Sequence, residues 1–221
     1  MTRMKYELPS YTRGEELLNS ISHGVGTAFG IAALVLCIVQ AVRRGDAWSV
    51  VSACVYGTSL ILLYGMSTLY HAVTHKKLRR IFRVFDHTSI FLLIAGTYTP
   101  LTLITLRGAL GWVMFGVVWG GAVLGIVLNS VDIERFRRFS MVCYLMMGWM
   151  IAVGVVPLVR SMKPAGILFL VLGGICYTVG VFFYRRKKIP FMHGVWHLFV
   201  LAGSVCHFFC IIFYVLPTRL P

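Results

Sequence analysis

The segment His193-Gly-Val-Trp-His197 sets two imidazoles four residues apart. On a helix that spacing puts both on one face. Helical metalloproteases use such a pair to share one metal ion. Ser67-Thr-Leu-Tyr-His71 repeats the spacing, with a hydroxyl in place of the first imidazole, and Asp86 follows after a short basic stretch. Three histidine nitrogens and a water make a catalytic zinc arrangement whose fourth position is open. A nearby carboxylate then holds that water or takes its proton. Neutral imidazoles with one carboxylate suit zinc better than magnesium or calcium, which prefer oxygen ligands. Histidines at helix ends also meet lipid headgroups or bond to backbone carbonyls, so spacing alone leaves both readings open.

The elements that would position these residues are membrane spans. Of the 221 residues, 58% are hydrophobic and 13% charged, against about a quarter charged in a soluble domain. That balance excludes a soluble enzyme, a disordered regulator and a disulfide-stapled secreted domain. Seven stretches carry no Asp, Glu, Lys or Arg: 17–42, 47–75, 87–106, 108–131, 139–159, 164–184 and 189–218. Each reaches the roughly 20 residues that a helix needs to cross the hydrocarbon core. The expected fold is therefore all-α: one integral membrane domain of seven transmembrane helices over residues 1–221. Their approximate bounds are 20–42, 47–72, 86–106, 109–131, 139–159, 164–184 and 191–215. The first stretch is too long for a cleaved signal peptide and lacks a clear small-residue cleavage site.

The net charge of +14 would suggest nucleic acid in a soluble protein. Here the basic residues sit in short clusters between apolar runs, the pattern of membrane topology, and no nucleic-acid partner is expected. Arg3, Lys5 and Arg13, the cluster Lys76 to Arg83, Arg135 to Arg138, and Arg185 to Lys188 share one side of the bundle. They number fifteen, against six on the other side. The positive-inside rule places the N-terminus in the cytoplasm and the C-terminus outside.

On that topology six of the seven histidines lie near the cytoplasmic ends of their helices, as do all the acidic residues but Asp46. Ionisable groups at membrane depth are costly and face a partner or a cavity. His207 lies ten residues past His197, roughly 15 Å further along a helix, and is assigned a helix–helix hydrogen bond. His75 and His87 read as interface residues, and Asp132 and Glu134 as solvated partners of Arg135. The six cysteines all fall within helices with no CxxC pair, so neither a disulfide nor thiolate ligation is expected.

Four separated motifs, in order, resemble the bacterial hemolysin III family, which groups with the progestin and adipoQ receptors. They are Glu15-Glu16-Leu-Leu-Asn19-Ser-Ile-Ser-His23-Gly24, Ser67-Thr-Leu-Tyr-His71, Phe85-Asp86-His87 with Ala95-Gly96-Thr97-Tyr98-Thr99-Pro100, and His193 through His207-Phe. The resemblance implies seven helices, a cytoplasmic N-terminus and a zinc ion near the inner leaflet held by His71, His193 and His197. It implies an aspartate, Asp86, that meets the metal through water, and a serine, Ser67, beside it. Glu16, Asn19 and His23 match the opening motif and fit either the orientation of a ligand histidine or a plain polar helix start. The family is also associated with zinc-dependent hydrolysis of lipid amides such as ceramide.

Two functions follow as expectations. One is a zinc hydrolase in the bacterial inner (plasma) membrane. Its partners would be membrane lipids and its substrate a lipid, with Asp86 as base and Ser67 positioning water or the oxyanion. The other is a non-enzymatic regulator of membrane state, or a pore-forming cytolysin, in which zinc is structural. Polarity confined to one end of the helices argues against a wide aqueous channel.

Overall fold

The computed structural model describes residues 8–44, 46–186 and 188–217. Of the basic residues that set the expected topology, Arg3, Lys5, Lys187 and Arg219 lie outside these residues, and so do both termini. The described secondary structure is helical throughout: α1 (Arg13–Arg44), α2 (Ala47–Ala72), α3 (Lys76–Pro100), α4 (Ala109–Val131), α5 (Ile133–Trp149), α6 (Val155–Ser161), α7 (Pro164–Tyr184) and α8 (Met192–Cys210). Short π segments, Leu101–Thr105 and Ile211–Val215, continue α3 and α8, and a 3-10 turn, Met150–Gly154, joins α5 to α6. Seven of the resulting helical stretches are long and apolar enough to cross a membrane, and this is a multi-pass membrane protein.

Several helices run past their charge-free stretches. The first begins at Arg13 rather than near residue 20, the third at Lys76 rather than 86, and the fifth at Ile133 rather than 139. Lys and Arg are good helix formers, and their long stems lie along apolar surface while the charge stays in water. A count of uncharged residues therefore trims the basic ends. The consequence for the site is that Asp86 stands well inside α3, not at its first turn.

Local chemistry fixes the helix starts. At α1, Glu15 Oε2 accepts the Thr12 backbone N–H at 2.9 Å while Thr12 Oγ1 accepts that of Glu15 at 3.3 Å, a reciprocal capping box. Asp46 caps α2 by accepting from Ser49 N at 3.0 Å, and Asp132 caps α5 by accepting from Arg135 N at 2.9 Å. Asp132 thus serves the helix start, and Glu134 pairs with Arg83 and Arg137.

The interruptions have causes as well. Pro100 and Pro157 each lack an N–H donor and crowd the carbonyl four residues earlier. After Pro100 the ladder widens, with Leu106 N donating to Leu101 O at 2.9 Å. Before Pro157 the fifth span breaks, and the Tyr98 hydroxyl fills the break. It donates to Gly148 O at 2.8 Å and accepts from Ile151 N at 2.8 Å.

Outward-facing positions are apolar, among them Leu17, Ile21, Val25, Val117, Val153 and Leu168, as lipid requires. The closest packing joins α1 to α2, α2 to α3 and α7 to α8, while α5 and α7 barely touch. Between α3, α5, α6, α7 and α8 lies a cavity of about 300 Å³.

Candidate metal centre

His71 sits in the last turn of α2, and His193 and His197 in the first turns of α8. Between these helices the three imidazoles converge. His193 Nε2 stands 3.3 Å from His71 Nε2 and 3.2 Å from His197 Nε2. One ligand nitrogen from each residue lies within 4.8 Å of the other two, a group able to hold a metal ion. Asp86 is not part of that group.

The opposite ring nitrogens of two of these histidines are held by α1. His71 Nδ1 donates to Glu16 Oε2 at 2.7 Å, and the Asn19 amide stands 3.5 Å from the same nitrogen. His197 Nδ1 donates to the Asn19 carbonyl at 3.3 Å and faces Ser22 Oγ at 3.4 Å. Acceptors at Nδ1 place the ring proton there and leave the Nε2 lone pair free. Two such lone pairs and a third imidazole then point at one place, which suits a shared cation. A carboxylate on the far nitrogen also fixes the ring and raises its basicity as a ligand. Glu16 is itself anchored by an ion pair with Arg79.

Packing closes the remaining sides. The His23 ring stacks on His197 at 3.6 Å, 15° from parallel, and meets Tyr64 edge-on. Tyr11, just before α1, stacks on His193 at 5.1 Å. Burial pushes the Tyr11 phenol well above its usual range, and the nearby Tyr184 and Asp86 add to the shift. Glu15 Oε1 accepts the Phe191 backbone N–H at 2.9 Å and so ties the start of α1 to the start of α8. Phe191 adopts φ of 64°, the left-handed region, as the chain turns into α8.

Ser67 lies one turn before His71, fully buried, and its hydroxyl has no hydrogen-bond partner among the described residues. Buried hydroxyls are usually bonded, so this one has capacity to spare. Asp86 is buried and, with His193, lines the polar end of the cavity.

The three histidines meet, Glu16, Asn19 and His23 touch them, and Asp86 and Ser67 border them without an observed bond to a ligand histidine. His87 lines the cavity, whereas His75 is exposed at the start of α3. Ser22, Tyr11 and Arg79 join the site without standing out in the sequence: Ser22 lies inside the opening motif, Arg79 reads as one of the basic cluster, and Tyr11 carries no signal.

Residues 11–208 match the family described as Haemolysin-III related. The chain belongs to that family. It is 48% identical to "Hemolysin-3" of Bacillus cereus over 204 residues, 92% of this chain and 93% of that one. It is also 48% identical to "Hemolysin-3 homolog" of Bacillus subtilis (strain 168), over 92% of this chain and 96% of that one. A more distant relative is the human "Monocyte to macrophage differentiation factor", 32% identical over 173 residues, 75% of this chain and 71% of that one. No solved structure matches significantly. The matched span of the family runs from Tyr11 past His207 and so contains every residue of the cluster.

Proposed function

We propose that this chain is a zinc-dependent lipid hydrolase of the bacterial inner membrane, acting on an amide-linked lipid of the ceramide kind. The observation that carries the reading is the convergence of three imidazoles, one of which, His193, lines an apolar cavity. Four tetrahedral ligands at zinc–nitrogen distances of 2.0–2.1 Å stand about 3.3 Å apart. The separations of 3.3 and 3.2 Å within the triad fit that spacing, and an all-imidazole set favours zinc over oxygen-seeking cations.

When bound, the ion would polarise a carbonyl and acidify water. In this arrangement the Asp86 carboxylate takes the proton of the attacking water. Ser67 Oγ, with no other partner among the described residues, donates to the carbonyl oxygen as charge gathers on it. The amide C–N bond breaks, the acyl carbon keeps the hydroxyl of the water, and the proton passes to the departing amine. The cavity walls hold the acyl chain and keep bulk water away. The site end of the bundle would face the cytoplasm, as the basic bias requires. Reporters fused to the two ends of the chain should then read opposite sides.

The test is metal analysis of detergent-purified protein together with a screen for lipid hydrolysis. The expected result is about one zinc per chain and release of fatty acid from a ceramide-type lipid. In Asp86→Asn zinc should stay while turnover falls roughly 10²–10⁴-fold, as for loss of a general base. Full turnover in that variant overturns the role of Asp86.

A second reading draws on the relatives named Hemolysin-3, namely a lytic or regulatory membrane protein with a structural metal. It is favoured by the way the cluster ties α2 to α8 and both to α1. Under it, metal removal unfolds the bundle. Under the hydrolase reading it stops turnover first.

A further inference from the structure

We propose that Tyr11 is the lid of the metal centre: its ring covers His193 at the basic end of the bundle, holds that imidazole in place as a ligand, and sets how fast the ion exchanges. The inference rests on the metal-binding reading above and not on hydrolysis.

The three imidazoles are not equally enclosed. His71 and His197 are buried, whereas His193 is half-buried. α1 meets the two buried rings through hydrogen-bonding groups of Glu16, Asn19 and Ser22. What the start of the chain offers His193 is a ring. The Tyr11 ring lies 5.1 Å from that imidazole and 25° from parallel, and 5.7 Å from the ring of His71. One side chain therefore covers the more exposed ligand and touches a second. The outer torsion of a histidine is soft, and a flat neighbour holds the ring at one angle through their contact.

Tyr11 is tethered on both sides. Downstream, Thr12 and Glu15 close the capping box of α1, and Glu15 Oε1 accepts the Phe191 N–H just before α8. Upstream, Leu8 borders a small hollow with Arg80, Arg83 and Val84 of α3 and with Asn129 and Ile133 at the α4–α5 junction. Pro9 has a fixed φ and keeps Leu8 extended. Residues 8–11 thus run as a short strap from the α4–α5 junction to the start of α8. They cross the end of the bundle where α2 stops and where α3 and α8 begin. Tyr184, Asp86 and Arg83 lie within electrostatic reach of the Tyr11 hydroxyl, so the strap also passes the polar end of the cavity.

The other sides of the centre are closed by different means. A Cβ added at Gly194 would meet Leu18 Cδ2 at 2.4 Å and Asn19 Oδ1 at 3.1 Å, so α8 and α1 pack without a gap there. His23 is stacked on His197. Beyond His193 lies the apolar cavity, and an ion pays heavily to enter such surroundings. Among the described residues, the route left to a hydrated ion is past the Tyr11 ring. An acyl chain would use the cavity instead, so the two guests enter by different doors.

The experiment loads the detergent-purified full chain with zinc and follows its loss to excess chelator. The visible absorption of the cobalt(II)-loaded protein is recorded beside it. Tyr11→Ala should lose zinc roughly tenfold faster than the wild type, the size of one ring-on-ring contact. Its cobalt bands should shift, because the His193 ring is free to turn. Tyr11→Phe keeps the ring and should match the wild type in both measurements. Leu8→Ala loosens the strap without touching the ring and should speed zinc loss by a smaller factor. Zinc loss at the wild-type rate in Tyr11→Ala overturns the lid. Equal acceleration in Tyr11→Phe assigns the effect to the hydroxyl and also overturns it. If Tyr11→Ala folds poorly, Leu8→Ala carries the test, and an unchanged rate there counts against the strap and the proposal. Displacement of a fluorescent polyene fatty acid reports the cavity separately. If it weakens in step with zinc loss, the bundle has loosened as a whole and the lid role falls. A wild-type chain that takes up neither zinc nor cobalt removes the metal reading, and this inference with it.

Discussion

The half of the bundle built from α1, α2 and α3 and the half built from α5, α6 and α7 are packed on different terms. In the first, backbones approach so closely that side chains have been removed to permit it. A Cβ added at Gly57 would meet the Leu34 Cα at 2.6 Å, one at Gly26 the Tyr64 ring at 2.4 Å, and one at Gly96 the Ser59 hydroxyl at 2.3 Å. Helices in lipid gain no hydrophobic drive from meeting each other, and small residues that allow close van der Waals contact supply the attraction instead. In the second half, α5 and α7 scarcely meet, and the Trp149 indole donating to Thr178 Oγ1 at 3.0 Å bridges them. The tight half supplies His71 and the α1 groups that hold the Nδ1 atoms of His71 and His197. The loose half walls the cavity together with α3 and α8. Ligand geometry needs fixed distances, whereas a guest of variable shape needs room; α1 and α2 meet the first demand, α5, α6 and α7 the second, and α3 borders both.

The comparison is broken most severely on the tight side. His193→Ala removes one of three protein ligands, and zinc affinity should fall by at least roughly 10²-fold, since charge and geometry depend on all three. Zinc content after dialysis against a graded chelator checks this, and unchanged content would take His193 out of the ligand set. Glu16→Gln keeps the shape but loses the carboxylate that orients His71. The expected loss of affinity is about 10–100-fold, the usual effect of such partners, read in the same titration.

A substitution on the loose side should separate the two functions. Val171 faces the cavity from α7, and Val171→Trp fills part of it. Fatty-acid displacement should weaken about tenfold, the scale of about 1–3 kcal/mol for overpacking, while zinc content stays as in the wild type. A fall in zinc would show that the halves are coupled. The smallest effect sharpens the packing contrast. Gly57→Ala should lower stability by about 1–3 kcal/mol, and Gly120→Ala, where a Cβ meets nothing within 4 Å, should leave the melting temperature unchanged.

Much of this molecule was legible in the order of its residues. The seven spans follow from charge-free stretches, because lipid tolerates no other composition. The pair His193 and His197 follows from helical spacing. What spacing cannot give is adjacency: nothing local places α2 against the start of α8, and the meeting of His71 with that pair is a tertiary fact. For the same reason Arg79 reads as one more topology charge until it is found bonded to Glu16. Helix bounds were legible only to the first basic residue. The break in the fifth span is foreshadowed by Pro157, but its repair by Tyr98 of another helix is not.

The link between Glu15 and the Phe191 backbone, with Asn19 and Ser22 against His197, joins α1 to the much later α8. A ribosome delivers α1 to the bilayer long before α8 exists. Until then Glu16 and Asn19 have only His71 to hold, one imidazole where three are needed. The histidine cluster is thus complete only once α8 has inserted, and a chain cut short before Met192 lacks two of its three imidazoles. On the proposed function, metal retention by a newly made chain then reads whether α8 has inserted.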